Sequence, residues 1–196
     1  MRNFVLGIIV AVLVLGLGSI SLGLLGLFPT QADRTPSSLE KRIAMNALDA
    51  SMERRAPRDS NPLPQTPENL IDGMKIYVMN CAGCHGGLDH KPAAFGLSFY
   101  PPAPQLVLNP IDDPDWHVYY AIRTGIRYTG MPAWGKTMAE PDMWKVTAFL
   151  TQIEKLPPPV QDYWKNAIAP TVPPDPDTHA AEKVKEKDKD KKVPAK

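Results

Sequence analysis

The sequence has little cysteine: its 196 residues include only two, Cys81 and Cys84. No second C-x-x-C pair exists to complete a tetrahedral zinc site with several thiolates. No βαβ pattern surrounds the two cysteines, which argues against a redox-active dithiol of the thioredoxin kind. An excess of charge of one sign is also missing, because the net charge is +1. The composition therefore gives no indication of nucleic-acid binding.

The two cysteines belong to one motif, Cys81-Ala82-Gly83-Cys84-His85. This C-x-x-C-H pattern is typical of covalent haem c attachment. The two thiols add to the two vinyl groups of one haem, and the histidine that follows supplies the iron with a proximal imidazole nitrogen. His90 and His117 offer further nitrogens for a Cys2His2 zinc site, but the usual finger spacing is absent. The sequence therefore predicts one covalently bound haem c.

The N-terminus contains the longest apolar run, 25 residues without a charge from Phe4 to Phe28. About 20 apolar residues suffice to span a bilayer, so residues 1–30 are predicted to be a transmembrane anchor. The alternative is a cleaved signal peptide, but its apolar region is usually 7–15 residues long. Thr30-Gln31-Ala32 is only a weak cleavage site.

The residues on both sides of the central part are poor candidates for a core. Residues 31–65 are predicted to be a stalk or linker with an amphipathic helix at 38–55, either solvated or docked on a partner or the membrane surface. Ser37-x-x-Glu40 resembles a capping box, and a proline-rich spacer ends the segment. Residues 169–196 combine proline, lysine and acid without aromatic side chains, which predicts a disordered charged tail.

Residues 66–168 are predicted to form the haem domain. Thr66-Pro67-Glu68 indicates a helix start, followed by an apolar face made of Leu70, Met74, Tyr77 and Val78. Asp113-Pro114-Asp115 repeats the cap-proline-acid pattern for a helix ending before Gly125. Further helices are predicted over 141–155 and, more briefly, over 160–169. The proline-rich, apolar segment 88–110 is expected to wrap irregularly around a large apolar ligand.

The sixth iron ligand is sought among the methionines and the remaining histidines. Met74 and Met79 are too close to the attachment motif to reach the opposite haem face. Met131 lies between Gly130 and Pro132, where a rigid turn can present a thioether. His117, beside Trp116, is the competing ligand.

The motif at 81–85, the Gly-Met-Pro sequence at 130–132 and the helix that follows resemble a monohaem class I cytochrome c. The proline-rich stretch at 92–103 and Met131-Pro132-Ala133-Trp134 are similar to bacterial domains related to the haem subunits of cbb3-type oxidases. The resemblance covers about 66–157. It implies an all-α fold of three to five helices around one haem, with His85 and Met131 as axial ligands.

Further roles follow as expectations. Arg123, Arg127 and Tyr128 suit the haem propionates, since guanidinium groups pair well with carboxylates, and Trp134 is either a propionate partner or a core residue. Surface exposure of the arginines is the alternative.

The expected function is one-electron transfer by a membrane-anchored, non-enzymatic cytochrome in a respiratory or photosynthetic chain. The donor would be a quinol-oxidising complex or a dehydrogenase, and the acceptor an oxidase or reaction centre. A fixed subunit of a membrane oxidoreductase complex or supercomplex is the first alternative, and a haem enzyme or gas sensor with a labile sixth ligand is the second.

The basic residues that follow the anchor would place the C-terminal side in the cytoplasm by a simple charge count. Haem attachment to C-x-x-C-H in bacteria, however, resembles a process that takes place on the outer face of the membrane. We therefore expect a single-pass protein of the inner membrane with its haem domain in the periplasm.

Overall fold

The computed structural model describes residues 1–27 and 29–168, and these residues form α-helices without a strand. The predicted all-α class is confirmed. The chain divides into two compact units, Met1–Thr35 and the residues from Pro36 onward. The helices are α1 (Arg2–Leu24), α2 (Ser38–Arg55), α3 (Pro67–Asn80), α4 (Ala82–His85), α5 (Ala94–Leu97), α6 (Asp115–Thr124), α7 (Glu140–Thr151) and α8 (Pro158–Ile168).

Helix α1 is the one helix in the described part of the chain that is long and apolar enough to cross a membrane. Its 23 residues measure about 35 Å, slightly more than the hydrocarbon core of a bilayer. The helix ends at Leu24, before the apolar run does. Gly26 takes a left-handed φ of 70°, and the Leu27 amide donates to the Leu22 carbonyl, which is a Schellman ending.

The core of the second unit is the crossing of α3 and α7. Leu70, Met74 and Tyr77 of α3 are buried, whereas Val78, predicted on the same face, is 46% exposed. The two helices approach so closely at Gly73 that a side-chain carbon there would collide with the backbone of Lys145. Glycine is therefore required by the packing at this position.

Helix α6 differs from its sequence prediction at the start. It covers Asp115–Thr124, with Pro114 rather than Asp113 in the capping position. The Asp113 carboxylate instead lies 3.2 Å from Nδ1 of His117. The end agrees with the prediction, because Gly125 has a positive φ of 66°.

The C-terminal helices also have shifted bounds. Helix α7 ends at Thr151, and a separate 3-10 turn at Ile153–Lys155 completes the range predicted as one helix. Helix α8 begins inside the proline run, at Pro158, because prolines are compatible with the first helical turn. The predicted charged tail, residues 169–196, lies outside the described residues.

Candidate haem-binding site

The attachment motif sits where helix α3 ends and the single turn α4 begins. The amides of Cys84 and His85 both donate to the Cys81 carbonyl, at 3.0 and 2.9 Å. This turn separates the two cysteines by one helical turn and places the histidine directly after it. Both thiols are half-buried and form no disulfide.

The environment of Cys81 does not suit thiol–disulfide chemistry. Burial, followed by the nearby Cys84, raises the pKa of the Cys81 thiol to about 12. Reactive redox cysteines have a lowered pKa, since the thiolate is the nucleophile. The local electrostatics therefore argue against the thioredoxin-like alternative.

Three hydrogen bonds from two elements fix the position of His85. Its Nδ1 atom lies 2.8 Å from the Pro104 carbonyl oxygen, so Nδ1 carries the proton and donates. The Nε2 lone pair is then left for a metal. The His85 carbonyl accepts hydrogen bonds from the Leu106 amide at 2.8 Å and the Tyr77 hydroxyl at 3.1 Å. The ring is thus oriented by the proline-rich segment and its backbone by α3.

Gln105 is a site residue that the sequence pattern does not predict. Its side chain is buried, and its amide donates to the carbonyl of Cys84 at 3.1 Å and that of Ala103 at 2.9 Å. Its Oε1 accepts from the Ala93 amide at 2.6 Å. Gln105 therefore connects two parts of the proline-rich segment, at Ala93 and Ala103, with the Cys84 carbonyl of the attachment turn. A polar side chain without periodicity gives no sequence signal for this role.

The attachment turn also depends on close backbone packing. A side-chain carbon on Gly96, in α5, would collide with the Cys84 carbonyl. Gly86, directly after His85, has a φ of 92°, which favours glycine. The segment can therefore lie directly against the turn.

Met131 is held in a short loop between α6 and α7. Its carbonyl accepts from the Ile126 amide at 3.2 Å, and its amide donates to the Thr129 hydroxyl at 3.1 Å. That hydroxyl donates in turn to the Ile126 carbonyl at 2.7 Å. The loop closes tightly on Gly125, where a side-chain carbon would lie 2.7 Å from the Ala133 amide nitrogen. Met131 is half-buried and packs against the main core, as do Cys81 and Trp134.

The residues predicted to contact the haem propionates lie near this loop. Arg123 and Arg127 are exposed, and neither forms an ion pair with any residue that the structure describes. The Arg123 carbonyl and Cγ pack against Gly135. Tyr128 is 89% exposed with a φ of 62°. Trp134 is half-buried against the core. The contacts of Arg123, Arg127, Tyr128 and Trp134 with a haem stay predictions.

His117, the competing ligand, lies in a different setting. It is buried, with Nδ1 facing Asp113 and Nε2 lying 3.7 Å from an oxygen of Glu53. Both ring nitrogens are therefore directed toward carboxylates of α2 and of the residues before α6. This favours Met131 as the candidate sixth ligand.

The donor set fits a haem c. Two thiols one helical turn apart match the two thioether bonds, an imidazole with a free Nε2 matches the proximal ligand, and a thioether fixed by its loop matches the distal one. Two thiols, one imidazole and one thioether are a poor set for a structural zinc ion.

The helical fold with this attachment turn is that of a cytochrome c domain. Residues 68–150 match the family model described as cytochrome C oxidase, cbb3-type, subunit III. These residues are therefore a haem c domain related to subunits of cbb3-type oxidases, as the sequence resemblance predicted. The match leaves α1, α2 and α8 outside. A comparison with curated proteins finds no match.

Proposed function

We propose that this protein is a membrane-anchored electron-transfer cytochrome carrying one haem c. Cys81 and Cys84 would form the thioether bonds, and His85 and Met131 would be the axial ligands. The observation that carries the proposal is the Nδ1 contact of His85 with Pro104, which leaves Nε2 free beside the attachment cysteines. Met131 and Cys81 pack against the same hydrophobic core.

The protein's own contribution is to hold both ligands still. The proline-rich segment orients the His85 ring, while the Thr129 hydroxyl and the Ile126 amide hold the backbone of Met131. The haem, when bound, supplies the one-electron change at iron, and a methionine ligand raises its potential. Rigid ligands on both sides support transfer without substrate binding at the metal.

Helix α1 supports the anchored form of this proposal, because its length and composition suit one membrane crossing. The haem domain would then lie on the periplasmic side of the inner membrane. Its donor would be a quinol-oxidising complex or a dehydrogenase, and its acceptor an oxidase or reaction centre.

A second candidate is a fixed subunit of a membrane oxidoreductase. The observation that favours it is the family match itself, whose description names a subunit of an oxidase. Helix α2 also exposes Leu39 and Ile43, at 63% and 61%, on one side. In a subunit these side chains would contact a neighbouring protein, whereas in a mobile carrier they would face water.

A haem-stained native gel of gently solubilised membranes separates the two candidates. Stain in a small membrane species supports the tethered carrier, and stain in a large complex supports the subunit. Stain only in the soluble fraction contradicts membrane anchoring. Replacing Leu39 and Ile43 by serine should release the protein from a complex, while the control Ala50→Ser, at an exposed position of the same helix, should not.

A further inference from the structure

Helix α2 lies outside the matched domain but is joined to it at two places. Its N-terminal half contacts the proline-rich segment, and its C-terminal end contacts α6. Both of these partners border the loop that carries Met131. Through these two neighbours, α2 is connected with the loop that carries the proposed sixth ligand.

The first contact is between Glu40 and Tyr100, whose hydroxyl donates to the Glu40 carboxylate at 2.6 Å. The preceding residue, Phe99, lies against the loop between α6 and α7 that carries Met131, called here the methionine loop. A side-chain carbon on Gly130 would be 2.8 Å from the Phe99 ring, so this loop and the ring are in close contact. Gly130 directly precedes Met131. Fixing Tyr100 therefore limits the room in which the loop can move.

The second contact is an electrostatic cluster at the end of α2. A Glu53 oxygen lies 3.7 Å from the buried Nε2 of His117, an atom with no hydrogen-bond partner among the described residues. Arg58 donates to Glu53 at 2.7 Å and places its guanidinium 5.2 Å from the centre of the Trp116 ring. Ala56, between them, is only 8% exposed.

Helix α6, which carries Trp116 and His117, runs directly into Gly125 and the methionine loop. The residues that α2 contacts at the start of α6 are therefore joined to the base of that loop by one continuous helix. The two contacts of α2 thus reach the loop through two different neighbours, one through Phe99 and one through α6.

We propose that α2 is a positioning element for Met131. While α2 is docked, its contacts with Tyr100 and His117 hold the two borders of the loop and keep the thioether at the iron. Release of α2, by a partner or by tension from the preceding segment, makes the sixth position easier to open. The inference rests on the proposed His85/Met131 ligand set.

The test uses the full-length protein in detergent with its haem attached. In one variant Glu40 and Glu53 are both replaced by alanine. In a second, Ala56→Glu forces a charge into the buried contact. The matched control is Asp49→Ala, an exposed carboxylate of α2 that makes no hydrogen bond or ion pair with another described residue. The readouts are carbon monoxide binding to the reduced protein and the midpoint potential.

We expect both docking variants to bind carbon monoxide about three to ten times faster than the wild type, the effect of losing one or two polar contacts. Their potential should fall, because methionine ligation raises it. The control should match the wild type. Unchanged binding and potential in both docking variants would overturn the proposal. If the reduced wild type itself bound carbon monoxide rapidly, the proposed His85/Met131 ligand set would be wrong.

Discussion

The Nδ1 atom of His85 lies 2.8 Å from the carbonyl oxygen of Pro104, nineteen residues further along the chain. Proline cannot donate a backbone hydrogen bond, but its carbonyl remains a good acceptor. The acceptor fixes the imidazole as the tautomer whose Nε2 is unprotonated. Pro104, in an irregular part of the proline-rich segment, therefore sets the chemistry of the attachment histidine.

Gln105 should be the main stabilising side chain of that segment. Replacing it with leucine removes its hydrogen bonds with Cys84, Ala103 and Ala93 and leaves partly buried backbone groups unpaired. We expect a loss of about 2–3 kcal/mol in the free energy of unfolding, measured by chemical denaturation. The control Gln65→Leu changes an exposed residue and should cost less than about 0.5 kcal/mol. Equal effects of the two variants would contradict the role given to Gln105.

Trp164 of α8 should hold the segment that follows the attachment motif. Its indole Nε1 donates to the Leu88 carbonyl at 2.9 Å, and its ring stacks on His90. Trp164→Phe keeps a ring but loses the hydrogen bond, so we expect a loss of about 1 kcal/mol and faster hydrogen exchange in residues 86–90. The neighbouring Tyr163→Phe keeps the ring that Lys75 covers and should leave both quantities unchanged. Equal exchange in the two variants would show that α8 does not restrain this segment.

The ion pair between α3 and α7 should make stability depend on acidity. The hydrogen bond from Lys145 is the main cause that lowers the pKa of the Asp72 carboxyl, with Lys75 adding to it. A lowered folded-state pKa means that the stabilisation is complete above the unfolded value of about 3.9 and is lost as pH falls through the folded value. Because Asp72 is 45% exposed, the contribution is at most about 1 kcal/mol.

Thermal unfolding of Asp72→Asn across pH 2–7 measures this contribution. The variant should be less stable than the wild type near neutral pH, and the difference should vanish at the acid end. Asp112→Asn, an exposed loop residue, is the control and should follow the wild type throughout. A difference between Asp72→Asn and the wild type that is the same at every pH would contradict the ion-pair explanation.

Features encoded by local sequence were predicted well. The start of α3 at Thr66-Pro67 and the end of α6 at Gly125 follow from side-chain capping and left-handed backbone geometry, which involve only neighbouring residues. Helix α2 occupies the residues predicted for it, 38–55, with the Ser37 hydroxyl accepting from the Glu40 amide.

Features that depend on the folded arrangement were missed. Asp113 was expected to cap α6, but it contacts His117, a choice that only the folded arrangement decides. The domain boundaries at 31–65 and 66–168 stay a prediction, and Glu40 meets a residue sixty positions away, Tyr100, across them. Val78 shows the same limit, because helical periodicity names a face without saying how far the packing partner extends.

The proposed His85/Met131 ligand set is tested most directly by the visible spectrum and midpoint potential of the purified full-length protein and its Met131→Ala variant. Met138→Ala, a half-buried methionine seven residues away, is the control. We predict a thioether-to-ferric-iron absorption band in the wild type and the control. In Met131→Ala the band should be absent, the potential lower and carbon monoxide binding rapid. A band and potential that survive Met131→Ala unchanged would contradict the proposed ligand set.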